Sequence, residues 1–192
     1  MGNGALKRAV FLDRDGVVNE AVVRDGKPYP PSPQELHVTP DAPNALQALR
    51  DAGFALFVVT NQPDVARGSR TQAEIDAIHA RLAGELPLDG FYVCAHDDAD
   101  RCDCRKPQPG LILRAAREHG LLLADSYLVG DRWKDIAAGK AAGVATVFVD
   151  HGYAEHRPQP AADATVSTLQ GAAQWILNRD AHERRGEHVA DS

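Results

Sequence analysis

The sequence predicts an α/β protein built on a doubly wound parallel sheet. Three observations lead there. Short apolar runs recur at residues 9–12, 54–59, 90–93, 127–129 and 146–149, each the length of a buried strand. Between them lie stretches whose apolar residues fall at helical spacing. Three of the runs also end in polar residues (Asp13 and Asp15, Thr60 and Asn61, Asp131 and Asp135) that such a sheet would gather at one edge.

Taken in order, Ala9–Leu12 is the first strand, ending where Asp13-Arg-Asp15-Gly16 begins a turn. Residues 20–40 carry Pro28, Pro30, Pro31, Pro33 and Pro40 with Gly26, which excludes a helix and suits a flap or surface loop beside the carboxylates. Ala45, Leu46 and Leu49 predict a helix with Asp41 as N-cap and Gly53 just past its end. After the strand 54–59, Thr71 caps a helix carrying Ile75, Ile78, His79 and Leu82. Gly90–Val93 is the third strand, and Pro109-Gly110 opens a helix with Leu111, Leu113, Ala115 and Ala116. The strand 127–129 precedes a helix over 133–142 that stops at Gly143. The strand 146–149, a short one at 164–166 and a helix over 168–177 complete the pattern. Residues 1–179 read as a single domain with no large inserted cap, and the polar stretch 180–192 as a disordered tail.

Composition narrows the function. The net charge of −6 offers no global basic field for nucleic acid or a membrane surface. No run approaches the roughly 18 apolar residues of a membrane span, and no apolar signal region precedes the first strand, so a cytoplasmic protein is expected. An anionic ligand would have to be captured by local cations or a metal.

Asp13 and Asp15 alone could be a solvated turn, Thr60-Asn61 the start of a loop, and Asp131 a helix cap. Brought to one sheet edge, they make a different argument. Carboxylates crowded in a cleft repel unless a cation relieves them, and Mg²⁺ is the natural hard cation. A metal held by Asp13 and Asp131 leaves one oxygen of Asp13 free to attack phosphorus. Asp15 can then protonate the leaving oxygen and later deprotonate water. The Thr60 hydroxyl and the Lys106 ammonium can hold the phosphoryl oxygens.

All three cysteines lie within eleven residues, in Cys94-Ala-His96-x₅-Cys102-Asp-Cys104-Arg105-Lys106. Cys94, His96, Cys102 and Cys104 supply the four ligands of a closed, structural Zn²⁺ site. Such a site would fix Arg105 and Lys106 at the mouth of a phosphate pocket. His37, His79, His119 and His151 have no partners at ligand spacing and read as surface or structural residues.

Asp13-Arg-Asp15-Gly, Thr60-Asn61-Gln62, Lys106-Pro107 and Gly130-Asp131-Arg-Trp-Lys-Asp135 resemble, in order, the four motifs of the haloacid dehalogenase-like phosphatases. Within that superfamily the chain is similar to the heptose-bisphosphate and histidinol-phosphate phosphatase group, from about Val10 to Val149. The resemblance implies a Rossmann-like sheet and an aspartyl-phosphate mechanism, with Asp13 as nucleophile, Asp15 as acid and base, and Thr60 and Lys106 steadying the phosphoryl group. It implies Mg²⁺ on Asp13, the Asp15 main-chain carbonyl and Asp131, with Asp135 orienting Lys106 or a metal-bound water. It also assigns zinc to the cysteine loop and substrate contacts to Arg105 and Arg132. Asn61 and Gln62, which complete the Thr60 motif, are further expected substrate contacts.

The expected substrate is a small phosphorylated molecule acted on by a monomer: heptose 1,7-bisphosphate losing its 7-phosphate, with histidinol phosphate as the alternative. The five-residue spacer between His96 and Cys102 is short, as in the histidinol-phosphate members, and Pro63-Asp64 departs from the Ser-Gly common in the sugar phosphatases. A non-catalytic zinc-binding interaction module is the competing reading from another class. The acidic balance and the full set of catalytic residue types count against it.

Overall fold

A computed structural model describes residues 7–190. In chain order it contains β1 (Ala9–Leu12), β2 (Val22–Arg24), β3 (Lys27–Tyr29), α1 (Ala42–Asp51), β4 (Ala55–Asn61), α2 (Gln72–Glu85) and β5 (Gly90–Cys94). There follow α3 (Gly110–His119), β6 (Tyr127–Gly130), α4 (Trp133–Ala142), β7 (Ala145–Val149), β8 (Ala164–Val166) and α5 (Leu169–Ala190). Six strands form one parallel sheet in the order β5-β4-β1-β6-β7-β8.

The β1 run Ala-Val-Phe-Leu is wholly buried because the sheet is covered on both faces. Val10 and Leu12 pack into one core layer with Leu46 and Leu49 of α1, Ile78 and Leu82 of α2, and Ala172 and Ile176 of α5. Ala9 and Phe11 point the other way, toward Leu111 and Ile112 of α3 and Ala138 of α4. The period-2 alternation of a strand thus feeds two cores from four residues. Each fully buried Leu, Ile, Val or Phe contributes about 1.5–3 kcal/mol.

Topology decides where a ligand can sit. From β1 the chain runs outward through β4 and β5, then crosses back to place β6 on the other side of β1. The connections leaving β1 and β6 part in opposite directions, opening a crevice beyond their carboxyl ends. Asp13 stands at one lip and Asp131 at the other. No helix among the described residues is long and apolar enough to cross a membrane.

One sequence expectation is refined and two are corrected. The proline-rich excursion contains an antiparallel hairpin, β2 with β3, pairing Val22 with Tyr29 and Arg24 with Lys27. Its turn residues Asp25 (φ 50°) and Gly26 (φ 71°) both take positive φ, as a two-residue Asp-Gly hairpin turn requires. Asp41 makes no side-chain cap to α1. Its carboxylate accepts instead from the Gln170 backbone N–H at 2.7 Å, serving the start of α5. And α5 runs on to Ala190, past the expected end at Leu177 and through the stretch read as a tail from Asp180. Pairs one helical turn apart, Arg179 with Glu183 (2.8 Å) and Arg184 with Asp180 (3.1 Å), support that extension, and Arg8 also pairs with Asp180. Residues 191–192 lie outside the described chain.

Candidate active site

Four connections meet at the crevice. Asp13 follows β1, Thr60 and Asn61 end β4, Lys106 follows the cysteine loop, and Asp131 and Asp135 span the junction of β6 with α4. The Lys106 ammonium is 3% exposed and lies 2.6 Å from Asp13 Oδ1, 2.5 Å from Asp135 Oδ1 and 2.8 Å from the Val59 carbonyl. Its three donors are therefore all engaged. Burial alone would lower the lysine pKa, but the charges of Asp13 and Asp135 outweigh it and hold the pKa above the ordinary value. Burial, then Asp135, push Asp13 up to about 6 against the opposing pull of Lys106.

Asp131 is 2% exposed, and both its oxygens are buried without a hydrogen bond. The nearby Tyr153 hydroxyl is close enough to feel its charge but makes no well-formed bond to it. Burial first, then Asp13 and Asp135, raise the Asp131 pKa well above the carboxylate range. Carboxylate oxygens of Asp13, Asp131 and Asp135 all come within 4.8 Å of one another. One ammonium cannot balance three such groups, so the donor set fits a divalent, oxygen-seeking cation. Two glycines make the crowding possible. A Cβ on Gly16 (φ +90°) would lie 2.0 Å from Asp131 Oδ2, and one on Gly130 would lie 2.2 Å from the Asp135 Cβ.

Asp15 is held by four donors. Arg14 Nε (3.1 Å) and Asn19 Nδ2 (3.0 Å) reach Oδ1, while Arg14 Nη2 (3.0 Å) and Gln62 Nε2 (2.9 Å) reach Oδ2. Burial works to raise its pKa, but the Arg14 charge and these hydrogen bonds win and keep it below the usual value. Asp15 is thus held ionised, the state of a base; donating a proton requires it first to gain one.

Two expected substrate contacts turn out to be otherwise engaged. The Asn61 amide exchanges two 3.0 Å hydrogen bonds with the Lys106 backbone, one to its carbonyl and one from its N–H. It therefore fixes the lysine loop to β4. Gln62 is fully buried and spans Asp15 and the Thr60 hydroxyl (3.0 Å). Sequence could not separate these uses, because an Asn or Gln after a strand offers the same groups to substrate or backbone.

The remaining residues border a cavity of about 360 Å³ whose floor holds Asp13, Asp15, Thr60 and Lys106. Arg67, Arg105 and Arg132 line it, joined by Lys134 of α4 and by Lys27, Pro28, Tyr29 and Pro30 from the hairpin segment. Each arginine already has a carboxylate: Arg67 with Asp97 (2.6 Å), Arg105 with Asp98 (2.7 Å), and Arg132 with Glu155. Glu155 comes from the loop after β7, which the sequence left unassigned. That loop also ties down the hairpin through the Ala154 N–H to the Gly26 carbonyl (2.9 Å), and His151 donates to the Gly16 carbonyl at 2.6 Å.

The cysteine loop closes as a cluster. Cys94 and Cys104 sulfurs are 3.3 Å apart, Cys102 and Cys104 3.4 Å, and Cys94 and Cys102 3.6 Å, with His96 Nδ1 at 3.3 Å from Cys104 and 3.6 Å from Cys94. Those separations are too long for a disulfide bond of about 2.05 Å. They approach the edges of a tetrahedron around Zn²⁺ with Zn–S bonds of about 2.3 Å. Burial pushes the Cys94 and Cys104 thiols up, whereas hydrogen bonds from Cys104 and from the Arg105 and Cys104 amides outweigh burial at Cys102 and bring its pKa down to about 7.

A carboxylate-floored crevice at the switch point of a parallel sheet, with a buried lysine bridging Asp13 and Asp135, is a site suited to phosphoryl transfer. Residues 103–172 match the HAD-hydrolase-like family. The chain is 34% identical over 182 residues to the D-glycero-beta-D-manno-heptose-1,7-bisphosphate 7-phosphatase of Escherichia coli K12, covering 88% of each chain. The Helicobacter pylori enzyme of the same name is 34% identical over 143 residues, covering 71% of this chain and 80% of that one. Among solved structures, the D,D-heptose 1,7-bisphosphate phosphatase of B. bronchiseptica, complexed with magnesium and phosphate, superposes with a TM-score of 0.74 at 30% identity, covering 90% of this chain and 99% of that one. The protein belongs to the haloacid dehalogenase-like phosphatases and is a phosphoric monoester hydrolase.

Proposed function

We propose that the enzyme removes the 7-phosphate of D-glycero-D-manno-heptose 1,7-bisphosphate through a phosphoaspartate on Asp13. The observation that carries this reading is the cationic rim of the cavity. Lys106 and the metal carboxylates suffice for the phosphate at the floor, yet Lys27 and Lys134 also reach the cavity with no carboxylate partner among the described residues. These two ammonium groups, neither in an ion pair though that of Lys134 also lies 5.7 Å from the Trp133 ring, suit a second phosphate at the far end of the same substrate. They would repel the amine of histidinol phosphate. The relatives' substrate agrees with this choice.

An Asp13 oxygen attacks phosphorus, forming an acyl phosphate as the P–O bond to C7 breaks. The departing alkoxide takes a proton that Asp15 has first acquired from solvent water. Water then attacks the phosphoaspartate and Asp15 removes its proton, regenerating the Asp13 carboxylate. Thr60 donates a hydrogen bond, and Lys106 balances charge on the phosphoryl oxygens. Asp13, Asp131 and the Asp15 main-chain carbonyl would hold Mg²⁺, which would supply further neutralisation of the phosphoryl group. Cys94, His96, Cys102 and Cys104 would hold Zn²⁺, which would keep Arg105 and Lys106 in place. We assign the enzyme to the cytoplasm as a monomer with no nucleic-acid or membrane partner.

The test compares kcat/KM on heptose 1,7-bisphosphate and on histidinol phosphate for wild type and for Lys27→Ala/Lys134→Ala. The sugar bisphosphate should be preferred by wild type, and the double variant should lose that preference through KM. Preference for histidinol phosphate would reject the assignment.

A further inference from the structure

Behind Asp15 a chain of side chains that the reaction as written does not use runs from buried Arg14 to half-buried His79 and Phe91. Arg14 is fully buried, with 0% exposure, and its guanidinium faces away from the cavity except where it meets Asp15. Nε and Nη2 clamp the Asp15 carboxylate, while Nη1 lies 3.2 Å from Nε2 of His79, on α2. A guanidinium has no acceptor, so His79 must accept at Nε2, which fixes a neutral imidazole protonated at Nδ1. The ring is held flat against Phe91 of β5, with centroids 4.5 Å apart and planes 20° from parallel. Burial and the Arg14 charge together push its pKa down to about 4, against weaker opposing effects of Asp15 and Asp76, so the acceptor persists at neutral pH.

We infer that His79 is a positioning residue for proton transfer: seated on Phe91, it anchors Arg14, and Arg14 holds the Asp15 carboxylate at the cavity wall. This rests on the reading of Asp15 as acid and base. The four donors on Asp15 fill the lone-pair sites of a carboxylate, so passing a proton means giving up one of them. The neutral amides of Asn19 and Gln62 are the weaker partners and give way, whereas the bidentate, charge-assisted Arg14 contact stays as the pivot. Without its acceptor, Arg14 is left with a buried, unpaired N–H and a reason to shift. Asp15 then loses its fixed point.

The leaving group separates this role from general support of the fold. An alkyl phosphate expels an alkoxide that needs the Asp15 proton as the P–O bond breaks. 4-Nitrophenyl phosphate expels a stable phenolate that leaves without one. His79→Phe keeps a ring against Phe91 and removes the acceptor; His79→Gln removes the ring and keeps an acceptor. For His79→Phe, kcat/KM on a sugar phosphate should fall about tenfold or more while that on 4-nitrophenyl phosphate changes less than about twofold. His79→Gln should recover most of the loss. In an Asp15→Asn background, which itself should lose far more on the alkyl ester, His79→Phe should cost nothing further. Equal losses on both esters, no loss, or a gain would overturn the inference. An Asp15→Asn variant with equal losses on both esters would instead reject the acid role on which it rests. If His79→Phe does not fold, His79→Leu, smaller than the ring it replaces, carries the same comparison.

Discussion

Replacing Lys106 by methionine should unbalance the site in a way that can be read without any substrate. The ammonium is the cation in direct contact with the metal-site carboxylates, 2.6 Å from Asp13 and 2.5 Å from Asp135, with Asp131 in the same cluster. Two unit charges 4.8 Å apart repel by about 3.5 kcal/mol at an effective dielectric constant of about 20. Removing one partner of a buried ion pair typically costs about 3–5 kcal/mol. For a domain of this length that corresponds to a fall in Tm of roughly 6–20 °C at pH 7.5 without metal. Two conditions should shrink the loss. At pH 5 a carboxylate can take a proton, since Asp13 already sits near 6 with the lysine present. Added Mg²⁺ replaces the missing positive charge, so it should raise Tm more in Lys106→Met than in wild type. The assay is thermal unfolding by circular dichroism at both pH values, with chelator and with Mg²⁺. A variant that melts with wild type at pH 7.5 in chelator, or that gains no more than wild type from Mg²⁺, would refute the charge argument.

Wild type should show its own linkage between protons and metal. Asp13 is raised from 3.8 to about 6, so between those values the folded state holds a proton that the unfolded chain has lost. The metal-free fold therefore gives up about 3 kcal/mol at this residue as pH rises through that window, and Asp131 shifts the same way. Mg²⁺ binds the ionised pair, and the Tm gain on adding it should be larger at pH 7.5 than at pH 5; equal gains would contradict the assignment of these carboxylates. Gly16→Ala places a methyl 2.0 Å from Asp131 Oδ2 at a positive φ, so calorimetric titration should show Mg²⁺ affinity reduced about tenfold or more, with unchanged affinity counting against the close approach. Cys102→Ser should lower zinc content by elemental analysis and lower Tm, whereas full zinc occupancy would reject the four-ligand set.

The strands and most helix limits were legible because their signals are local. Four consecutive buried residues at Ala9–Leu12, or Ile75, Ile78 and Leu82 at helical spacing behind a Thr71 capping box, carry their period in the chain. The hairpin was missed although Asp25-Gly26 between short β-forming segments is a recognised turn signal; the surrounding prolines masked it. The end of α5 was misread because its polar residues are held by pairs one turn apart and by Arg8 from the opposite end of the chain. Asp41 illustrates the same difficulty, since a capping carboxylate can serve a helix 129 residues away as well as its own.

By itself the sequence determined the order of the elements and the types of group at the strand ends, because periodicity and motif spacing are properties of the chain. It determined the identity of the zinc ligands as candidates for the same reason. What only the tertiary structure decided is which of several equivalent polar groups each side chain meets. Asn61 bonds to the Lys106 backbone, Gln62 to Asp15, Glu155 to Arg132, and His79 to Arg14. Those pairings join segments that share no local pattern. They follow from the strand order, which sets the ends of β5, β4 and β1 side by side and those of β6 and β7 next to them, where desolvation makes each buried charge depend on whichever partner the fold brings within about 3 Å.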